Sequence, residues 1–285
     1  MKPAAFDYVA PSTLDEAITI LNDNPDAKII SGGQSLMPLL AFRLAAPSIL
    51  VDLRNIPDLD HIEISEGEVR LGARVRWVDI EKDERLRTAH PLLARAIEHV
   101  AHYQVRNRGT VGGSCCHADP AAEMPGIAVA CDAIMVIAGP SGVREIDAAS
   151  FFAGALQTNL EEAEILVAVR LPRFSPGRRW GFEEFARRRG DFAIAGVLVH
   201  FEIDDHGRIS DAHVGAIGVG DVARRIGAAE DALNGCLLDP QTIEAAGLVA
   251  SEDIEPMDDI HAGSDYRRAL YAKLLQRVLH VIAGE

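Results

Sequence analysis

The sequence predicts an α+β chain in two parts. A boundary at about residues 172–179 separates an α+β part from a C-terminal part whose small antiparallel sheet is backed by helices. Three observations predict this. In the first part, short apolar segments alternate with amphipathic helical stretches. Residues 172–179 then gather two prolines, a glycine and three arginines, a composition that interrupts helix and strand alike. Beyond them, two strand-like segments flank Asp204-Asp205-His206-Gly207, a hairpin turn signal, and three amphipathic helical segments follow.

The elements follow in chain order. Ser12 or Thr13 caps a helix reaching residue 24, with Asp15 and Glu16 in its first turn and Ala17, Ile18, Ile20 and Leu21 on its apolar face. Lys28-Ile29-Ile30 reads as a short buried strand, and residues 36–44 as a helix beyond Pro38. Residues 49–53 read as a second buried strand. Val69, Leu71, Ala73 and Val75 alternate as a half-exposed one. Residues 78–87 and 91–102 read as helices, the second with Pro91 in its first turn. Residues 121–131 read as a helix and 133–138 as a strand. Residues 197–203 and 208–219 form the hairpin, and 222–235, 240–250 and 264–282 the C-terminal helices.

Composition excludes several classes of function. Apolar residues make up 48% of the 285, enough for a substantial core. A formal net charge of −15 opposes binding to nucleic acid or an anionic membrane. The N-terminus has no apolar segment of a secretory signal, and no run of apolar residues is long enough to span a membrane. Cys115, Cys116, Cys131 and Cys236 show neither disulfide-framework spacing nor a metal knuckle, which fits a reducing cytoplasm.

Two glycine pairs carry the functional signal: Ser31-Gly32-Gly33-Gln34-Ser35 and Thr110-Val111-Gly112-Gly113-Ser114. Consecutive N–H groups in such turns make concave nests for pyrophosphate. Glycine permits positive φ and keeps Cβ out of a ligand's way, and Ser and Thr hydroxyls add donors. Either pair alone is equally a tight turn. Together they read as two loops closing on one anionic ligand. The second runs on into Cys115-Cys116-His117-Ala118-Asp119-Pro120-Ala121-Ala122-Glu123-Met124-Pro125, where a histidine, two acids and two prolines follow the small residues.

Other patterns carry less. Gly215, Gly218 and Gly220 end a hairpin, so they do not make a Rossmann turn, and no Walker A sequence occurs. Cys115-Cys116 reads as small buried thiols, because adjacent cysteines seldom form a relaxed bridge. His99 and His102 fall at i, i+3 on one expected helix, a surface or core pair sooner than a metal site. Arg187-Arg188-Arg189 reads as a solvated face, or, beside Gly190-Asp191-Phe192, as a binding edge or a partner contact.

Phe6-Asp7-Tyr8, IISGGQSLMPLL, VRNRGTVGG, HADPAAEMP, EEAEILVAVRLP and RRRGDFA together resemble the FAD-binding medium subunit of the molybdenum hydroxylases. That group holds carbon monoxide dehydrogenase, quinoline oxidoreductase and xanthine dehydrogenase. The resemblance covers essentially the whole chain. It implies a two-lobed FAD-binding domain of the vanillyl-alcohol-oxidase/PCMH type, with lobes at about 1–56 and 57–173, and a C-terminal α/β domain over 174–285. It implies that Ile29, Ile30, Ser31, Gly32, Gly33, Gln34, Ser35 and Leu36, with Thr110, Val111, Gly112, Gly113 and Ser114, hold the FAD diphosphate and ribityl chain. His117 and Asp119 would lie near the flavin or its chain. Glu123 and Leu166 would contact the cofactor, and Phe192 would stand beside the isoalloxazine ring.

Two departures stand out. Ser31 and Gln34 replace Ala and His of several relatives, and Gln34 leaves no nucleophile in this loop for covalent flavin attachment. Glu184 replaces a lysine that approaches the flavin in xanthine dehydrogenase. An acid there opposes anionic reduced flavin, which bears on the choice of electron acceptor.

The function implied is an electron-transfer subunit. FAD takes electrons from 2Fe-2S clusters on a small partner chain and passes them to an external acceptor, while a large molybdopterin subunit hydroxylates the substrate. The implied assembly is a dimer of heterotrimers. Similarity of HVAHYQVRNRGT and FARRRGDFA to the quinoline-type subunits favours an N-heteroaromatic substrate. No residue of this chain need act as a catalytic base, and none is read as a metal ligand. The alternatives are a stand-alone FAD-dependent oxidase or reductase, and an assembly subunit that has lost FAD.

Overall fold

The structure is a computed structural model that describes residues 2–284. The chain begins with β1 (Asp7–Val9), α1 (Leu14–Asp23), β2 (Lys28–Ile30), α2 (Leu36–Ala41) and β3 (Ile49–Asp52). The three strands form a parallel sheet in the order β1-β3-β2. The cap of α1 is Thr13, whose hydroxyl accepts the Glu16 N–H, while Glu16 reaches back to the Ser12 N–H. Pro38 sits inside the first turn of α2, where its missing N–H costs nothing.

Next come β4 (Ile62–Ile64), β5 (Glu68–Gly72), α3 (Trp77–Lys82), α4 (Leu86–Ala89), α5 (Pro91–Ile97), α6 (Tyr103–Arg106), α7 (Val111–His117) and α8 (Glu123–Ala130). They are followed by β6 (Ile134–Gly139), β7 (Gly142–Asp147), α9 (Ala148–Phe151), β8 (Phe152–Gly154), β9 (Gln157–Thr158) and β10 (Ile165–Pro172). A five-stranded antiparallel sheet runs β4-β5-β10-β6-β7. One face, through Val136, Ala138, Ile165 and Val167, shares a core with α1 and β3. The other, through Val69, Leu71, Met135 and Val169, packs on the helices.

The third section holds β11 (Arg179–Phe185), β12 (Ala195–Ile203), β13 (Ile209–Ile217), β14 (Arg224–Arg225), α10 (Gly227–Leu233), α11 (Pro240–Asp253) and α12 (Ser264–Ala283). Its antiparallel sheet packs one face on α10–α12 through Val197, Val199, Val214 and Tyr271. The other face meets α8: Leu198 and Ile217 join the helical core of the second section. All eight residues of α8 are buried, and a Cβ on Gly126 would lie 2.5 Å from Ile217. A helix that is apolar all round belongs between layers, and that is its position here.

Several expectations are revised. Residues 78–87 hold two short helices, broken at Asp83. Residues 91–102 hold only α5, because the chain turns at Glu98. His99 and His102 therefore do not share a helix: His99 lies in the turn and His102 caps α6. The segment 222–235 is helical only from Gly227. β2 is not a buried strand. Lys28 is exposed and Ile29 and Ile30 are half-buried, because they face a cleft. Among the described residues, no helix is long and apolar enough to cross a membrane.

Candidate functional site

A cleft of about 680 Å³ opens where the three sections meet. Residues 27–36 form one wall, residues 109–123 another, residues 160–166 the base, and Gly190, Asp191 and Phe192 a flap from the β11–β12 loop. Every expected site residue except Val111 lines this cleft: Ile29, Ile30, Ser31, Gly32, Gly33, Gln34, Ser35, Leu36, Thr110, Gly112, Gly113, Ser114, His117, Asp119, Glu123, Leu166 and Phe192. Val111 is turned away and fully buried in the helical core.

Of the first glycine pair, Gly33 makes the expected left-handed turn. β2 ends at Ile30, and Gly33 takes φ +72, open to glycine at little cost. Among the described residues, the N–H groups of Gly32, Gly33, Gln34 and Ser35 have no hydrogen-bond acceptor in the chain. Ser35 caps α2 without a side-chain hydrogen bond, so its hydroxyl is also available. Gln34 folds back and donates to the Gly32 carbonyl at 3.1 Å. A row of free donors around a left-handed glycine fits a diphosphate.

The second pair is not a nest. Thr110 is the N-cap of α7, and its hydroxyl accepts the Gly113 N–H at 3.1 Å. Val111 and Gly112 donate to the carbonyls of Val75 and Ala73, and Ser114 to that of Thr110. All four amides are therefore satisfied within the chain. The glycines serve packing: a Cβ on Gly112 would sit 2.6 Å from the Ala73 Cβ, and one on Gly113 2.8 Å from the Thr110 hydroxyl.

The two segments touch. A Cβ on Gly32 would lie 2.2 Å from the Arg108 carbonyl oxygen, and the Ser31 and Thr110 hydroxyls are 3.0 Å apart. Gly32 is therefore small because another backbone passes against it, not because it leaves room for a ligand.

Farther along, Ala118 takes φ +51 and ends α7, which turns His117 and Asp119 toward the cleft. Asp119 accepts the Ala121 N–H at 2.9 Å. Glu123 is the first residue of α8, only 5% exposed. Burial, then the Glu184 carboxylate and Asp119, push its pKa up to about 8, against a hydrogen bond from its own N–H that favours the ionised form. Leu166 reaches the base at a bulge in β10, where register with β6 shifts before Ala168. Phe192 is 57% exposed at the flap. The flap crosses to α6 at Gly190, whose φ is +88 and whose Cβ would meet the Ala101 carbonyl and the His102 ring.

Several lining residues were missed by sequence reasoning. Trp77 and Ala73 carry no local signal, and residues 160–165 border the base just before the one leucine named there. Of the cysteine pair, Cys115 is buried and Cys116 opens on the cleft, both as free thiols. Arg187, Arg188 and Arg189 are exposed, the first contacting His261 at 3.1 Å.

Residues 4–174 match the FAD binding domain in molybdopterin dehydrogenase, and residues 180–282 the CO dehydrogenase flavoprotein C-terminal domain. The chain belongs to the medium flavoprotein subunits of the molybdenum hydroxylases. This flavoprotein subunit is 38% identical over 279 residues to the nicotine 6-hydroxylase medium subunit of Paenarthrobacter nicotinovorans, covering 98% of each chain. It is 34% identical to the carbon monoxide dehydrogenase medium chain of Hydrogenophaga pseudoflava, again over 98% of each. A chain of the crystal structure of quinoline 2-oxidoreductase from Pseudomonas putida 86 superposes with a TM-score of 0.95 at 43% identity, covering 100% of this subunit and 99% of that chain. The subunit thus carries the family's FAD-binding domain and its small-sheet C-terminal domain.

Proposed function

We propose that the subunit holds FAD in the cleft and relays electrons from 2Fe-2S clusters on a small partner chain to an external acceptor, while a large molybdopterin chain hydroxylates the substrate. The observation that carries this is the row of unpaired N–H groups at Gly32, Gly33, Gln34 and Ser35, held against Thr110 and Arg108 at the cleft. Bound FAD supplies a centre that exchanges electrons singly or in pairs. The chain's own residues bind and shield. The row and the Ser31, Ser35, Thr110 and Ser114 hydroxyls receive the diphosphate and ribityl chain, and Leu166 supplies an apolar base. The proposed division is a FAD-binding domain over 1–173, with lobes at about 1–56 and 57–173, and a C-terminal domain over 174–285. The complex is a cytoplasmic dimer of heterotrimers.

Its substrate is an N-heteroaromatic compound. The supporting comparison is 43% identity to the quinoline 2-oxidoreductase chain against 35% to a carbon monoxide dehydrogenase chain from Hydrogenophaga pseudoflava, both over 100% of this chain.

Purifying the tagged chain from its host tests the assignment. Co-elution of an iron–sulfur chain and a molybdopterin chain with flavin absorbance is expected. A lone yellow protein that turns over substrate by itself overturns it in favour of a stand-alone oxidase or reductase.

Phe192 belongs to the flap and covers one side of the cleft mouth. Phe192→Ala is expected to speed reoxidation of the reduced flavin by oxygen several-fold while FAD retention changes little. Stopped-flow reoxidation and flavin content measure the two, and parallel loss of both would make Phe192 structural support only.

A further inference from the structure

Glu123 stands in a wall of acids. It lines the cleft at 5% exposure, and among the described residues no cation pairs with its carboxyl. Asp119 faces the same space from the α7–α8 turn. Behind Glu123, Glu184 enters from β11, its side chain 5% exposed. One Glu184 oxygen lies 3.4 Å from His99 Nδ1, and the other is buried without a hydrogen-bond partner. β12 allows this approach because it offers Gly196 opposite, with Glu184 Cβ only 3.2 Å from where a Cβ would be. The titratable groups around Glu123 are thus Asp119, His117 and Cys116 from α7 and its turn, and Glu184 with His99 beyond it.

Ionised Glu123 would add a third negative charge to this wall. A diphosphate cofactor brings about two more, and such repulsion is strong where water is excluded. A protonated carboxyl removes that charge and presents an O–H donor.

We propose that Glu123 meets the bound cofactor as a neutral carboxylic acid donating a hydrogen bond into the cleft, and that Glu184 is the positioning residue that keeps its proton on. This rests on the reading that FAD occupies the cleft. It gives Glu184 a task independent of the acceptor: a like charge placed behind an acid holds that acid neutral.

Titration of the flavin-free full chain with FAD, followed by flavin fluorescence between about pH 6 and pH 10, tests it. Wild-type affinity stays level to about pH 8, then falls about tenfold per pH unit as Glu123 ionises. Glu123→Gln, a neutral donor of the same shape, binds FAD as wild type does near neutrality and shows no such fall. Glu184→Gln keeps the fall but moves it to lower pH. Circular dichroism establishes that each variant is folded. A level wild-type profile with tight FAD binding overturns the proposal, as does Glu123→Gln binding weakly at every pH or falling as wild type does. Absence of FAD binding at every pH would instead remove the FAD assignment itself.

Discussion

A Gly32→Ala chain folds but loses FAD affinity by about 100-fold. The added Cβ would stand 2.2 Å from the Arg108 carbonyl oxygen and 2.9 Å from both the Arg108 carbonyl carbon and the Gly109 Cα. Backbone cannot rotate aside as a side chain can, so the two segments must part by roughly an ångström to restore contact distance. Parting them breaks the 3.0 Å Ser31–Thr110 hydrogen bond and moves the row of free N–H groups. Losing one or two hydrogen bonds to a charged diphosphate, at about 1.5–3 kcal/mol each, costs roughly two orders of magnitude in affinity. Circular dichroism and the melting temperature of the variant check that the loss is local and not a loss of fold.

Gly33→Ala is the control. Its Cβ would meet only the Met37 and Ile30 side chains at 3.3–3.4 Å, and the left-handed conformation costs about 1–2 kcal/mol. Position 33 is already left-handed without ligand, so that cost falls on folding, and affinity should change far less than in Gly32→Ala. Fluorescence titration of both variants decides: wild-type affinity in Gly32→Ala would mean that the contact between the segments does not build the site.

Acidifying the flavin-free chain from about pH 7.5 to about pH 5.5 should leave wild-type stability nearly level, whereas Glu123→Gln should lose about 3 kcal/mol. Two buried histidines drive the loss. His90 has a pKa pushed down to about 3, chiefly by burial. Its Nδ1 accepts the Leu93 N–H, and its Nε2 has no partner. His200 is pushed down to about 2 by burial, then by His213 stacked 4.4 Å away and by Arg178. Its Nδ1 accepts Arg178 Nε at 2.9 Å and its Nε2–H donates to the Ala130 carbonyl, so neither nitrogen has room for another proton. Unfolded, both histidines titrate near 6.5. As pH falls below that value the unfolded chain binds more protons, and stability falls by about 1.4 kcal/mol per unit for each histidine.

Glu123 has the opposite sign. Folded, it holds a proton up to about pH 8; unfolded, it releases it above 4.5. Between those values the folded chain binds the extra proton, so acidification adds stability of about 2–3 kcal/mol over the same interval. The two trends cancel in the wild type. Glu123→Gln removes one and exposes the other. Urea denaturation at both pH values measures this. A variant with no acid loss would mean that the histidines are not held neutral, and a wild type that falls as steeply would mean that Glu123 is ionised when folded.

These effects lie at different distances from the sequence. The turn of the C-terminal hairpin was legible because its cause is local. Asp204 accepts the N–H groups of His206 and Arg208, and Gly207 takes φ +76. The cap of α1 was legible for the same reason, since Thr13 and Glu16 lie one turn apart. The glycine pairs were recognisable as motifs, and in the first Gly33 takes the left-handed turn that its residue type suggests. The second resembled it in letters but starts a helix, because the carbonyls of Ala73 and Val75 take its N–H groups. No neighbour in sequence announces those acceptors.

The sequence by itself determined what hydrogen bonds within a few residues can settle: caps, the hairpin turn and the long C-terminal helices. Only the tertiary structure decided that β2 faces a cleft, that α8 is enclosed on every side, that Gly32 yields to a passing backbone, and that Glu123 sits before Glu184. The reason is that desolvation and close packing depend on surroundings supplied by distant segments. A carboxyl's charge or a glycine's purpose follows from what the fold brings against it.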